Sequence, residues 1–113
     1  MPILIGYASK KLERICLEAR VARKNLPENV AKLLPQRLVE IAVFASLGAI
    51  PAGAPWHFHA LGENWTGCFS VWIDKKYRII FRPAGAFAMA AEGMPDLATV
   101  TQITIESIGD YHD

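Results

Sequence analysis

The chain has 113 residues, is 52% hydrophobic and 20% charged, and carries a formal net charge of +1. That size and apolar content suit one domain over residues 1–113 with a single core, and they exclude a disordered chain or a bundle of domains. No apolar run approaches the length needed to cross a bilayer, and the opening MPILIGYASKK places its apolar run before its lysines, the reverse of a signal peptide; the expected location is the cytoplasm, with no membrane partner.

The charges are segregated. Residues 1–37 hold eight basic residues against three acidic ones, a net of +5, and residues 83–113 hold five acids and no Lys or Arg. From charge alone this reads as a solvated helix face neutralised by an acidic tail. Nucleic-acid binding is the other reading, with Lys10, Lys11, Arg14, Lys75, Lys76 and Arg82 as candidate contacts. Cys16 and Cys68 have no metal spacing and read as buried small hydrophobes.

In chain order, Ile3–Ile5 reads as a short strand ended by Gly6. Ser9 suits an N-cap, and the helix it opens runs to about Lys24, with Leu12, Ile15, Ala19 and Ala22 on one stripe. Asn25–Leu26–Pro27 breaks it. A second helix follows with Val30, Leu34, Leu38, Ile41 and Ala45 at helical spacing up to Leu47, and Gly48 as its C′ residue. Pro35 is expected to kink or split this helix. Together the two helices form an αα-hairpin over one face of a sheet.

Trp56–Leu61 alternates as a strand, with His57 and His59 on one face. Cys68 to Pro83 reads as a hairpin, with Phe69, Val71 and Ile73 in its first strand and Tyr77, Ile79 and Phe81 in its second. A three-residue loop, Asp74–Lys75–Lys76, pairs Val71 with Ile79 and Phe69 with Phe81. This gathers the large apolar residues on one face and leaves Cys68, Ser70, Trp72, Arg78, Ile80 and Arg82 on the other. No Gly occupies the last loop position, so the turn needs another closure. Residues 84–98 read as an extended loop whose AFAMAA part can form a helical turn. Thr99 to Ile108 is the last strand, and its apolar parity changes twice, which implies one or two bulges. The expected class is α+β, a small antiparallel sheet covered by the helical hairpin, in the order β-α-α-β-β-β-β.

Arg78 in mid-strand needs an anionic partner, either a carboxylate such as Asp110 or Glu106 or a ligand phosphate. With His59 in a strand read as its neighbour, and Asp110, Tyr111 and His112 in the tail, the chain holds what metal-free RNA cleavage requires: a base for the ribose 2′-hydroxyl, an acid for the leaving 5′-oxygen and a cation for the phosphate. His59, Asp110 or His112 can serve as base or acid. Tyr111 can stack on a nucleobase or donate a proton. The tail is expected to fold back so that His112 lies near Arg78 and His59.

These residues fall into motifs. Phe58–His59–Ala60–Leu61, Gly67–Cys68–Phe69–Ser70–Val71, Tyr77–Arg78–Ile79–Ile80–Phe81 and the terminal Asp110–Tyr111–His112 occur in that order. In this the chain resembles the HigB branch of the RelE/ParE toxin superfamily, the killer proteins of bacterial toxin–antitoxin modules. The resemblance covers most of the chain outside residues 84–98. It implies a metal-independent, ribosome-dependent mRNA endoribonuclease with no cofactor, catalytic roles for His59, Arg78, Asp110, Tyr111 and His112, and a helix-turn-helix antitoxin as partner in an oligomeric complex. The family often has a lysine just after its His-x-Leu, where Gly62 stands here.

Three other readings remain open. One is a ParE-like toxin that binds a protein target such as DNA gyrase. The second is a binding module without enzymatic activity. The third is a metal site formed by His57, His59, Asp110 and His112.

Overall fold

The computed structural model describes residues 3–110. The chain is α+β, as expected. Strand β1 (Leu4–Tyr7) leads into three helices, α1 (Lys10–Leu17), α2 (Ala19–Asn25) and α3 (Glu28–Val43). Strands β2 (His59–Ala60), β3 (Phe69–Trp72), β4 (Tyr77–Pro83) and β5 (Gln102–Asp110) follow. The five strands make one sheet in the order β1-β5-β4-β3-β2. Its pairings are antiparallel except one: β1 runs parallel to β5. None of the helices is long and apolar enough to cross a membrane.

Ser9 caps α1 as its residue type predicts, its side chain accepting from the Leu12 N–H at 3.1 Å. The helix then stops short. Glu18 is extended (φ −119, ψ 110), so the single helix expected to Lys24 is two. No Gly or Pro marks this break; packing overrides a locally acceptable helix. Ile15, Cys16 and Ala22 are buried, whereas Ala19 is exposed. Helix α3 behaves in the opposite way. It runs through Pro35, which lies on its exposed side, and buries Val30, Leu34, Leu38 and Ile41. It ends at Val43, four residues early. Phe44 turns extended and meets Trp56 edge-on at 5.3 Å. Leu47 and Gly48 belong to a 3₁₀ turn instead. Gly48 is required there for space: a Cβ would lie 3.1 Å from the backbone nitrogen of Ala98.

The core lies between the helices and one face of the sheet. Val30, Leu34, Ile41, Val71, Ile79, Phe81, Ile103 and Ile105 are all fully buried in it. Phe58 stacks on Phe69 at 5.4 Å and Phe81 at 6.3 Å. Burial pushes the Cys16 thiol up to about 12, so it stays a neutral apolar side chain. A second, smaller cluster of Leu61, Cys68 and Ile80, with Trp65 packed on it, sits on the other face.

The hairpin has the register that apolar alternation requires. Val71 faces Ile79 and Phe69 faces Phe81, and the Ile73 N–H donates to Tyr77 O at 2.8 Å. The missing glycine is replaced by Asp74, whose Oδ1 accepts from the backbone N–H groups of Lys76 (2.9 Å) and Tyr77 (2.7 Å). Its Oδ2 accepts from Asn29 of α3 at 3.0 Å, tying the turn to the helical layer.

Burial alone would raise the Asp74 carboxyl, but the N–H groups of Tyr77 and Lys76, then Asn29 and the Arg78 guanidinium, outweigh it and hold its pKa below the ordinary value. A depressed carboxylate adds stability that is complete above its unfolded pKa and is lost as pH falls through its folded pKa. The thermal stability gap between the native chain and Asp74→Asn is therefore expected to be widest near neutrality and to close in acid. Melting curves across that range check it, and a gap unchanged in acid would contradict the carboxylate's role.

Two other sequence expectations change. The strand expected over Trp56–Leu61 is reduced to His59–Ala60, because His57 takes a left-handed backbone (φ 47). One bulge interrupts β5, where Glu106 is the extra residue between Ile105 and Ser107. The earlier parity change at Val100 is the end of a 3₁₀ turn, Leu97–Thr99, just before the strand. Residues 84–98 form a closed excursion with a Met89–Pro95 bridge and a 3₁₀ turn at Ala91–Gly93 rather than a helical AFAMAA. It is held by Thr99, whose Oγ1 accepts from the Ala88 N–H at 2.9 Å and donates to Asp96 O at 2.7 Å.

Candidate functional site

The face of the sheet away from the helices carries the candidate groups. On β3 and β4 it presents Ser70, Trp72, Arg78, Ile80 and Arg82. His59 joins it from β2, directly across from Ser70. His59 and Arg78 are not on adjacent strands as the sequence suggested, because β3 lies between β2 and β4. With ordinary strand spacing and rise, their Cα atoms are about 12 Å apart.

Arg78 is held from two directions. Its Nη1 donates to Asp74 O (3.0 Å) and Lys75 O (2.8 Å), so the hairpin turn fixes the head group. Its guanidinium carbon lies 4.2 Å from the Trp72 ring, a cation–π contact that also restrains its plane. On β5 its neighbour is Gly109, where a Cβ would meet nothing within 4 Å. Glu106, one of the two carboxylates considered for Arg78, instead pairs with Arg82 at 3.1 Å.

His59 is exposed, and its Nδ1 lies 2.9 Å from the backbone oxygen of His57. The His57 ring stacks on Trp72, with centroids 3.7 Å apart and planes 26° off parallel. The layers His57, Trp72 and Arg78 are therefore in continuous contact. Ser70, between His59 and Ile80 in the sheet, is fully buried, and its Oγ has no hydrogen-bond partner among the described residues.

Asp110 is exposed at the end of β5 and pairs with Tyr77. That gives it the parity of the helical face, opposite to Arg78. Tyr111, His112 and the expected fold-back of the tail lie outside the described residues. Among the described residues, no group of three His, Cys, Asp or Glu side chains is placed to hold a metal ion.

The basic candidates divide into two sets. Lys75 and Lys76 are exposed in the turn beside Arg78, and Arg82 lies farther along the same face. Lys10, Lys11 and Arg14 are on α1, which packs against β1 and β5 at the far edge of the sheet. There Lys10 pairs with Glu13 at 3.2 Å and Arg14 with Glu18 at 3.3 Å. Such exposed pairs contribute at most about 1 kcal/mol.

Sequence reasoning placed Trp72 on this side without a role and gave His57 one only as a ligand in the alternative metal site. The signal for Trp72 was its register opposite Arg78, which the hairpin pairing already contained. His57 was obscured by an alternating pattern that the loop before it interrupts.

No protein-family model matches the chain, and no curated protein sequence matches it. Solved structures do share its fold. YoeB from Staphylococcus aureus, in a heterotetrameric toxin–antitoxin complex with YefM, superposes with a TM-score of 0.52 at 17% identity over all of both chains. YafQ from E. coli strain BL21(DE3) superposes with a TM-score of 0.50 at 14% identity, over 96% of this chain and 92% of that one. At such identities the likeness is one of fold.

Proposed function

We propose that this chain is the toxin of a type II toxin–antitoxin module and acts as a metal-independent, ribosome-dependent mRNA endoribonuclease. One observation carries the reading: His59 and the Trp72-backed Arg78 share the open face of the sheet. The motifs that resemble the HigB branch and the fold shared with YoeB and YafQ support it. A cognate antitoxin with a helix-turn-helix is the proposed partner, as YefM is found with YoeB, in an oligomeric complex in the cytoplasm.

In the proposed reaction His59 takes the proton of a ribose 2′-hydroxyl. The freed oxygen attacks the adjacent phosphorus, and Arg78 stabilises the charge gathering on the phosphate oxygens. The 5′-oxygen leaves with a proton from the tail, where Tyr111 and His112 are the candidate donors and Asp110 their neighbour. The products are a 2′,3′-cyclic phosphate and a 5′-hydroxyl. The nucleophile is already in the substrate, so no metal-bound water is needed. A net charge of +1 gives little grip on a phosphate backbone, so the ribosome is assigned the task of holding the message in line.

Primer extension on messages from induced cells is expected to show cleavage, and a translation reaction is expected to show the same ends. Naked RNA is expected to be cut poorly. A transition-metal chelator at constant ribosomal Mg²⁺ is expected to change nothing. Equal cleavage of naked RNA would refute the ribosome requirement, and sensitivity to the chelator would favour a metal site. Intact messages with accumulating DNA breaks would transfer the function to a gyrase-directed, ParE-like toxin.

A further inference from the structure

The loop before β2 ends in a left-handed residue. The His57 N–H donates to Gly53 O at 2.9 Å, closing a tight turn, and His57 then takes φ 47. This left-handed conformation redirects the chain toward β2. Glycine makes it at no steric cost. Histidine is among the few other residues found there, and here its ring and its carbonyl are both engaged.

The carbonyl accepts from His59 Nδ1 at 2.9 Å. The ring stacks at 3.7 Å on Trp72, whose indole is also 4.2 Å from the Arg78 guanidinium carbon. We infer that His57 is a positioning residue: its carbonyl selects the His59 tautomer with the proton on Nδ1, and its ring holds the Trp72–Arg78 stack, so one residue sets both sides of the site. The inference rests on the reading of His59 as base and Arg78 as phosphate cation.

The chemistry is simple. A carbonyl oxygen only accepts, so the contact requires Nδ1–H. The neutral imidazole then carries its lone pair on Nε2, the atom available to take a proton from a hydroxyl. Ser70 pairs with His59 across the strands, and its Oγ has no hydrogen-bond partner among the described residues. A hydroxyl donates or accepts and so selects neither tautomer. The left-handed backbone at His57 removes that ambiguity by aiming an obligate acceptor at one ring nitrogen.

Two variants separate the halves of the role. His57→Gly keeps the positive φ and the carbonyl but removes the ring. His57→Val disfavours the left-handed backbone, since a β-branched residue there is an outlier, and so displaces the carbonyl. Long-range ¹⁵N–¹H correlation spectra in alkaline buffer report the His59 tautomer without any substrate. Native protein and His57→Gly are expected to show Nδ1–H, and His57→Val a mixture or Nε2–H. Cleavage on programmed ribosomes is expected to fall on the order of 10- to 100-fold in both, a loss typical of misplaced groups. In His57→Gly the loss arises with the tautomer intact.

An Nε2–H tautomer in the native protein would overturn the inference. So would native cleavage rates in His57→Gly, or a native tautomer in a folded His57→Val. If His57→Val does not fold, the native spectrum and the glycine variant still decide. A native protein with the expected tautomer but no RNA cleavage would refute the nuclease reading and leave the tautomer control standing.

Discussion

Arg78→Ala is expected to remove nearly all RNA cleavage while the protein melts only a few degrees lower. The functional loss should be on the order of 10²–10³ in rate, as for removal of one donor that stabilises developing charge. The structural loss should be small for reasons visible around the residue. Its side chain is half-buried, on the face away from the main core. The two carbonyls that accept from Nη1 belong to Asp74 and Lys75 in the hairpin turn, where water can replace the guanidinium. With water available to both carbonyls, each bond contributes at the low end, about 0.5 kcal/mol net, and the half-exposed contact with Trp72 about the same, a total that moves the melting temperature by only a few degrees. Arg78→Lys should recover only part of the activity, because an ammonium keeps the charge but not the planar fork. Melting and cleavage measured side by side decide the matter. A large fall in melting temperature would make Arg78 chiefly structural, and unchanged cleavage would remove it from the site.

Phe81→Ala is expected to do the reverse, disabling the protein through its fold. Phe81 is fully buried at the centre of β4, opposite Phe69 and stacked near Phe58. It belongs to the core that joins the helices to the sheet. Truncation of such a phenylalanine costs about 3–5 kcal/mol, against a total stability of roughly 5–15 kcal/mol for a domain. The melting temperature should fall by on the order of 10–20 °C. Thermal unfolding followed by circular dichroism checks this. A shift of only a few degrees would mean that the core is organised elsewhere. The pair of variants thus separates the two faces of one strand.

The hairpin was legible because its information is local. Alternation from Phe69 to Phe81 admits one register that keeps charge off the core face, and that register is the one formed. The cap at Ser9, the buried stripe of α3 and the bulge near Glu106 were legible for the same reason. The break at Glu18 was not, because both halves are good helix and only packing separates them. The site was half legible. Its residue types stood in recognisable motifs, but their spacing depends on strand order. β3 lies between His59 and Arg78, and a two-residue β2 gives almost no pattern to pair by. The parallel neighbour of β1 was equally hidden, since nothing in LIGY specifies a partner about a hundred positions away.

That parallel pairing has a consequence for the order in which the protein is made. β5 lies between β1 and β4, yet it is synthesised after every other element described. While it is missing, β1 and the β2–β4 meander share no strand pairing. Folding dominated by such distant contacts is slow, because the chain must close a long loop before any contact rewards it. Until β5 leaves the ribosome, the Arg78 face has no neighbour at Gly109 and the sheet is two unjoined pieces. A nascent chain without β5 therefore lacks the completed sheet on which the proposed site stands. The interval between the emergence of β4 and that of β5 is a natural window for a partner to arrive before the sheet is complete.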